Sequence, residues 1–301
     1  MRVLVTGGTG FIGANLVRAL LERGHQVVTL SHRAEGLAGV EHHSLEVADE
    51  DAIRVAARAE GIVHLAGLSD ASASRRDPLL FNRVNALGTL SMLEAARLGG
   101  GRLVFASSQR VYRPSPKPLP ESGPIEPQDP YGYSKLCGER WLEMYVRFYG
   151  VRAVTLRFFS VYGPGLVTAS AGSAVAGIFV GRALRGEPLI AHADQRRDIT
   201  FVSDVVDGIL LAMEKPVEPG SCYNVATGVG TSMEELATAV CRVVRSRSPI
   251  VAERSQAFGY LVADISRARS DLGYEPRVGL EEGLERYVAW YRANAGLGVG
   301  G

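Results

Sequence analysis

The feature that most constrains this fold is a run of glycines between a predicted strand and a predicted helix. The β-branched segment Met1–Thr6 leads directly into TGGTGFIG, and apolar residues then recur at helical spacing over Phe11–Arg23. Gly7, Gly10 and Gly13 let the backbone approach a pyrophosphate, whose charge would meet the N-terminus of the helix. The stretch therefore predicts a dinucleotide site; a tight strand–helix turn without a ligand is the alternative.

Strands and helices continue to alternate through the first half of the chain. Further strands are predicted at Val27–Leu30, Gly61–Leu65, Arg102–Ser107 and Arg152–Phe158, and helices at Asp51–Ala59, Leu87–Leu98 and Leu136–Tyr149. Such alternation is typical of an α/β fold in which helices cover both faces of a parallel sheet. The proline-rich segment Pro114–Pro130 is predicted to be a surface excursion rather than a helix or a strand.

The pattern changes beyond Gly163. A glycine- and alanine-rich stretch follows, and helices are predicted at Ser173–Leu184, Ser232–Arg245 and Leu280–Arg292. We interpret this half as a smaller lobe, and the glycine-rich end at 296–301 as a flexible tail.

Composition narrows the functional classes. Lys and Arg number 33 and Asp and Glu 32 in 301 residues, and the basic residues are scattered, so a nucleic-acid surface is not expected. The first residues lack the apolar region of a signal peptide, and no apolar run approaches the roughly 18–20 residues that span a membrane, so we expect a cytoplasmic protein. Cys137, Cys222 and Cys241 lack metal-ligand spacing and are expected to be buried small apolar residues, with no metal site.

Several motifs, in order along nearly the whole chain, resemble those of the extended short-chain dehydrogenase/reductases. These are TGGTGFIG, HLAG at 64–67, VNALGT at 84–89, Tyr131 and Lys135 in YGYSK, LRFFSVYGPG at 156–165, RDITFVSD at 197–204 and LEEGLERYVAWY at 280–291. Within that family the chain is most similar to the nucleotide-sugar epimerase/dehydratase branch.

The resemblance implies a Rossmann-type doubly wound parallel sheet with a smaller C-terminal α/β substrate-binding lobe. By this resemblance residues 1–165 and the returning segment 198–215 form the dinucleotide-binding domain. Segments 166–197 and 216–295 form the lobe. The family resemblance also implies a homodimer through the helices at 87–98 and 136–149, although their apolar content equally fits packing within one chain.

The resemblance further implies a set of cofactor-binding residues. They are Gly7, Gly10, Phe11, Ile12, Gly13, Ser31, Arg33, Glu46, Val47, Leu65, Ala66, Gly67, Asn85, Ala106, Tyr131, Lys135, Phe158 and Phe159. NAD-preferring relatives carry an acid at the position of Ser31, where a carboxylate would repel a 2′-phosphate. Because Ser31 is uncharged and Arg33 could bond that phosphate, NADP(H) is favoured. NAD(H), with Arg33 pointing into solvent, is the alternative.

By the same resemblance the catalytic groups are Ser108, Tyr131 and Lys135. Tyr131 and Lys135 are four residues apart, so they share one face if a helix begins just before Tyr131. Tyr131 would act as general acid and base, Ser108 would bond the reacting oxygen, and Lys135 would lower the pKa of the phenol. Taken alone, a tyrosine and a lysine at this spacing are more often an ordinary exposed helix pair.

The resemblance implies a nucleotide-diphosphate sugar as substrate. The implied binding residues are Ser108, Gln109, Arg110, Ser160, Arg197 and Arg254. Arg197 and Arg254 match arginines that bind the diphosphate, and two guanidinium groups suit a dianion. Ser160 stands where relatives often carry an asparagine. Sugar 4,6-dehydratases have Asp and Glu where this chain has Gln109 and Arg110, so dehydration is not expected.

Two chemistries at C4 of a nucleotide-linked hexose fit these residues. We favour an NADPH-dependent 4-ketoreductase acting on an NDP-4-keto-6-deoxyhexose, because of Ser31 and Arg33 and because Ser69 replaces a lysine that contacts the cofactor in some epimerases. An NDP-hexose 4-epimerase similar to UDP-glucose 4-epimerase is the alternative. A reductase of non-nucleotide ketones or aldehydes, and a non-catalytic dinucleotide sensor or scaffold, remain as further hypotheses.

Overall fold

The computed structural model describes residues 1–166, 175–254 and 259–294. Its strands are β1 (Arg2–Thr6), β2 (Gln26–Ser31), β3 (Glu41–Ser44), β4 (Gly61–His64), β5 (Arg102–Ser108), β6 (Ala153–Phe158), β7 (Ser160–Tyr162), β8 (Leu189–His192), β9 (Gln195–Phe201), β10 (Cys222–Val225), β11 (Gly230–Ser232), β12 (Ile250–Glu253) and β13 (Gly259–Leu261).

Eleven α-helices occur in the described part. They are α1 (Phe11–Glu22), α2 (Glu50–Ala56), α3 (Ala71–Arg76), α4 (Pro78–Phe81), α5 (Gly88–Gly99), α6 (Pro130–Tyr149), α7 (Val175–Leu184), α8 (Val202–Glu214), α9 (Met233–Val244), α10 (Ser266–Leu272) and α11 (Leu280–Asn294). A π-helical segment, Asn82–Leu87, joins α4 to α5, and a short 3₁₀ turn, Gln109–Val111, follows β5. None of the helices within the described ranges is long and apolar enough to cross a lipid bilayer.

The main sheet has seven parallel strands in the order β10-β6-β5-β4-β1-β2-β3. Side chains alternate between its faces, so Val3 and Val5 of β1 pack in a cluster with α1, α8 and α10, whereas Leu4 packs in another with α2, α5 and α6. Both faces are therefore covered, which confirms the predicted doubly wound α/β fold. The strand order reverses between β1 and β4, where ligands of such sheets commonly bind.

A smaller lobe surrounds a second apolar cluster. Strand β9 pairs with β7, β11 and β13, strand β8 pairs with β12, and helices α7, α9 and α11 contribute to the cluster. The domain boundaries predicted from the sequence differ from the observed packing in two places. Strand β10 and helix α10 lie within the predicted lobe segment 216–295, yet they join the main sheet and its core, whereas residues 198–201 pair within the lobe. Apolar side chains that are far apart in the sequence pack together, and this packing decides which segments belong to the main domain and which to the lobe.

Three local expectations change in the structure. Helix α6 begins at Pro130 rather than Leu136, because Asp129 caps it by accepting from Gly132 N at 2.8 Å. Segment 114–129 has no helix or strand, but Leu119 within it is fully buried and bridges to Ala263. Burial of all three cysteines was wrong, because Cys137 lies on the exposed side of α6 and the other two are only partly buried.

Two predicted segments extend beyond the described residues. The first residues of the helix expected at 173–184 and the tail expected at 296–301 lie outside the ranges that the structure describes.

Candidate active site

A cavity of about 1340 Å³ opens at the carboxyl ends of the main-sheet strands and is also lined by residues of the lobe. Almost all the predicted site residues line it. These are Gly7, Gly10, Phe11, Ile12, Gly13, Ser31, Arg33, Glu46, Val47, Leu65, Ala66, Gly67, Ala106, Ser108, Gln109, Arg110, Tyr131, Lys135, Phe158, Phe159, Ser160 and Arg197. The fold thus gathers residues up to 190 positions apart, from Gly7 to Arg197, into one site. Asn85 and Arg254 do not line the cavity.

The glycine loop has the geometry of a pyrophosphate cradle. Gly7 has φ +67°, and a Cβ added there would lie 2.8 Å from Ala66 N. A Cβ on Gly13 would collide with the carbonyl oxygen of Gly7. Gly10 caps α1 without a side-chain hydrogen bond, so the N–H groups of the first turn remain available to an anion. These residues fit a dinucleotide.

The end of β2 forms an uncharged corner beside this loop. Ser31 Oγ lies 3.0 Å from Thr9 Oγ1 and accepts from Arg33 N at 3.3 Å. The Arg33 guanidinium is exposed and donates to Thr9 O at 3.4 Å, so it lies against the glycine loop. The corner contains no acid at the Ser31 position, and the preference for NADP(H) stays a prediction.

Tyr131 lies near the start of α6 with its hydroxyl directed at β5. Asp129 at the N-cap and Pro130 in the first turn set where the helix begins, so Tyr131 and Lys135 share its buried face, as predicted. The Ser108 side chain lies close enough to the Tyr131 hydroxyl to influence its pKa. Burial raises the pKa of Tyr131, the Ser108 side chain and the nearby charge of Arg110 lower it, and Asp129 raises it.

Lys135 lies beneath the same part of the cavity. Its Nζ donates to Ala106 O at 2.9 Å and lies 5.2 Å above the Phe105 ring. Burial lowers its pKa to about 8, while the charge of Glu139 acts in the opposite direction. Within the described residues, no hydrogen bond joins Lys135 to Tyr131. The predicted effect of Lys135 on the phenol therefore stays a prediction, and Arg110 is the cation that lowers the pKa of Tyr131 here.

A buried ion pair, which sequence reasoning missed, fixes α6 against the strands. Arg157 of β6 donates to Glu139 of α6 at 2.9 Å and 2.6 Å through two nitrogens. Ser107 Oγ donates to the same carboxylate at 2.5 Å, and Arg157 Nη1 donates to Tyr112 Oη at 2.7 Å. Glu139 follows Lys135 by one helical turn, so this network holds the helix face that carries Lys135. An arginine inside the apolar run LRFF was the available signal.

Asn85 supports the site from behind the cavity. Its Oδ1 accepts from Leu68 N at 2.8 Å, and its Nδ2 donates to Leu68 O at 3.0 Å and Ser134 Oγ at 2.8 Å. Asn85 thereby ties the loop after β4 to α6. Its predicted cofactor-binding role stays a prediction.

The lining of the cavity contains two neighbouring cations, Arg110 and Arg197. Arg197 donates to Gly259 O and, at 2.9 Å, to Gln195 Oε1; burial and the charge of Arg110 lower its pKa to about 10. Arg110 Nη1 lies 3.4 Å from Asp129 Oδ2. Arg254 is exposed, so the structure does not bring the second predicted diphosphate arginine to the site.

The lobe adds lining residues that the sequence did not indicate. They include Ile178 and Arg182 of α7, Arg185 in the turn directly after α7, and His192 of β8. Two arginines three residues apart, one inside and one just beyond an otherwise apolar helix, were the available signal. Within the described residues, no group of three or more His, Cys, Asp or Glu side chains could hold a metal ion.

Comparison with known proteins gives consistent matches. The model of the NAD dependent epimerase/dehydratase family matches residues 3–226. A UDP-glucose 4-epimerase of Mycolicibacterium smegmatis is 36% identical over 97% of this chain and 99% of its own. A UDP-glucuronic acid decarboxylase of Xenopus tropicalis is 30% identical over 97% of this chain and 72% of its own. The solved structure of Thermus thermophilus UDP-glucose 4-epimerase with NAD has a TM-score of 0.87 at 32% identity, covering 97% and 99% of the two chains.

Proposed function

Because the chain belongs to the NAD-dependent epimerase/dehydratase family, a family of enzymes, we propose that it is a UDP-hexose 4-epimerase. The observation that carries the proposal is that Tyr131 and Ser108 lie beside each other at the cavity wall, with neutral Gln109 and cationic Arg110 in the two positions after Ser108. A proton-transfer pair is present there, whereas the carboxylate pair needed to eliminate water is absent from those positions. The full-length similarity to UDP-glucose 4-epimerases supports epimerisation over reduction.

Each side chain has a separate role in the proposed reaction. Tyr131 removes the proton from the sugar 4-hydroxyl as hydride leaves C4, and Ser108 holds the reacting oxygen. After the 4-keto sugar rotates, C4 would take the hydride back on its opposite face, while Tyr131 returns the proton to the C4 oxygen. Bound dinucleotide supplies the hydride acceptor and donor. Arg197 anchors the diphosphate, so the sugar can rotate while the nucleotide stays bound.

The proposed resident cofactor is NAD(H). The Thermus relative solved with NAD supports this assignment, since an epimerase regenerates its cofactor in every turnover. The uncharged corner at Ser31, with Arg33 beside it, favours a second candidate, the NADPH-dependent 4-ketoreductase. The similarity to epimerases ranks this candidate second.

A homodimer is proposed through α5 and α6, which pack side by side on one face of the sheet. Leu87, at the end of the π-helical segment, and Leu98 of α5 are 50% and 59% exposed. They lie about three helical turns apart along this continuous helical stretch, hence on one side of it. Trp141 and Phe148, 38% and 67% exposed, share one side of α6 in the same way. These apolar side chains fit a second copy of the chain.

The decisive experiment uses the purified protein with its own dinucleotide. The co-purified cofactor is identified after denaturation, and UDP-glucose is then incubated with the protein without added cofactor. Epimerisation predicts bound NAD and conversion to UDP-galactose at constant total NADH absorbance. Stoichiometric NADPH consumption with a 4-keto sugar nucleotide, without interconversion of UDP-hexoses, would reject the epimerase and support the ketoreductase.

A further inference from the structure

The side chain of Gln109 carries a buried acceptor at the wall of the cavity. Gln109 is only 9% exposed, and its Nε2 donates to Ser160 Oγ at 3.0 Å. Its Oε1 is fully buried and has no hydrogen-bond partner among the described residues. Both side chains line the cavity, and Gln109 directly follows Ser108 in the chain.

An unpaired buried acceptor lowers the equilibrium constant for folding about five- to 150-fold. Native proteins contain few such groups, and a bound ligand is one way in which they are satisfied. The ligand group must be a hydrogen-bond donor, and it must lie close to the reacting oxygen, since Ser108 is the adjacent residue. A sugar hydroxyl meets both requirements.

The polar atoms of Gln109 and Ser160 favour a neutral ligand group. A carboxylate facing Gln109 Oε1 would meet another acceptor and gain no hydrogen bond from it. The neighbouring Arg110 has a carboxylate already within 3.4 Å, that of Asp129, whose side chain is 2% exposed. The wall formed by Gln109 and Ser160 therefore presents a neutral amide and a hydroxyl to the sugar.

We propose that Gln109, held by Ser160, is a specificity-determining residue that accepts a hydrogen bond from a hydroxyl of a neutral hexose, and thereby selects neutral hexoses over hexuronates. The proposal rests on the proposed UDP-hexose function. The hydroxyl near C4 is that on C3 or on C6, and both supply the same donor.

The test is a thermodynamic cycle on binding, which needs no turnover. Gln109→Met keeps the side-chain length but removes the acceptor, and Gln128→Met is the matched control because Gln128 is exposed and outside the cavity. Calorimetry with dinucleotide present compares UDP-glucose, UDP-xylose, which lacks C6, UDP-3-deoxyglucose, UDP-glucuronic acid and UDP. We expect Gln109→Met to weaken UDP-glucose binding about five- to 150-fold and to leave UDP unchanged.

UDP-xylose and UDP-3-deoxyglucose, which each lack one of the two candidate hydroxyls, identify the hydroxyl that Gln109 binds. The analogue that lacks the bonded hydroxyl should bind wild type weakly and lose no more on Gln109→Met. An equal loss for UDP-glucose and both analogues would overturn the proposal, as would wild-type preference for UDP-glucuronic acid. Failure of the proposed epimerase function would give a different result. Wild type would then turn over none of the UDP-sugars, while Gln109→Met would still weaken UDP-glucose binding. In turnover, Gln109→Met should raise KM more than it lowers kcat.

Discussion

Single residues around the buried Tyr131 contribute to its pKa in opposite directions. Burial raises the pKa of the phenol, whereas the Ser108 side chain and the Arg110 charge lower it. A general base at neutral pH needs the lowering contributions to prevail in the complex with cofactor, where the positive charge of oxidised nicotinamide adds to them.

The first prediction concerns this phenol. Tyr131→Phe removes the group that transfers the proton and should lower kcat about 10²- to 10⁴-fold, with dinucleotide and UDP binding unchanged. Tyr133→Phe, the same change at a 55% exposed position of the same helix, is the control and should keep full activity. Turnover and calorimetric binding are measured on both variants. Undiminished turnover in Tyr131→Phe would exclude the catalytic role and favour a sensor or scaffold.

A second prediction concerns His64, which is buried behind the cavity. Its Nε2 faces Thr89 Oγ1, which itself donates to Asn85 O, so Nε2 donates and Nδ1 accepts from Thr6. Burial, with a smaller effect of Lys135, lowers the pKa of His64 from 6.5 to about 3. Between these pH values the unfolded chain binds a proton that the folded chain does not.

The free energy of unfolding should therefore fall as the pH drops from 6.5 towards 3, by up to about 1.4 kcal/mol per pH unit from this group. Denaturant titrations at several pH values measure the slope. His64→Gln should show a correspondingly shallower slope than wild type. Parallel curves for wild type and His64→Gln would contradict the neutral buried imidazole.

Arg33 provides the third prediction, for cofactor choice. If its guanidinium bonds a 2′-phosphate, Arg33→Ala should weaken NADP binding about 10- to 150-fold and leave NAD within about twofold. Arg58→Ala removes an equally exposed arginine outside the cavity and should affect neither cofactor. Fluorescence titration gives both affinities. An unchanged NADP affinity in Arg33→Ala would place its side chain in solvent.

At the scale of elements, the turn between β1 and α1 depends on close backbone contact. Gly13→Ala would place a methyl group against the carbonyl oxygen of Gly7 and 2.8 Å from Gly8 Cα. We expect the free energy of unfolding to fall by about 1–3 kcal/mol and dinucleotide binding to weaken at least about tenfold. Denaturant titration and calorimetry measure the two effects.

The control for this turn is Gly279→Ala. No described atom lies within 4 Å of a Cβ at Gly279, so stability should change by no more than about 0.5 kcal/mol and binding not at all. Equal dinucleotide affinity in Gly13→Ala and wild type would mean that the pyrophosphate does not use this turn.

Helix α6 is the element on which most of the site depends. Its N-cap places Tyr131, its buried face places Lys135, and its ion pair from Glu139 to Arg157 connects that face to β6. Both partners of the pair are at least 93% buried, so removing one of them would leave an uncompensated charge. The exposed side of the same helix carries Trp141 and Phe148, so α6 links the reacting centre to the proposed dimer interface.

For the whole molecule, the prediction is the oligomeric state. Leu98→Arg puts a charge on the exposed apolar side of α5 and should weaken the dimer about tenfold or more, as sedimentation measures. Leu21→Arg, at a 46% exposed position of α1, should leave the dimer intact. A wild type that sediments as a monomer, or equal behaviour of the two variants, would contradict the interface.

The sequence alone was sufficient where the physics is local. The glycine loop of β1 and α1 follows from a backbone conformation and approach that only glycine allows, and β1, α1, β2, α2, β4, α5 and β5 follow from the apolar pattern. The four-residue spacing of Tyr131 and Lys135 gave their common face once Asp129 and Pro130 determined the start of α6.

The tertiary structure decided what depends on distance between remote residues. It placed β10 and α10 in the main core, left Arg254 outside the cavity, and brought Arg110 close enough to lower the pKa of Tyr131. It also buried the unpaired Oε1 of Gln109. Burial and charge–charge interaction vary with separation in space, and a linear sequence does not contain that separation until the chain has packed.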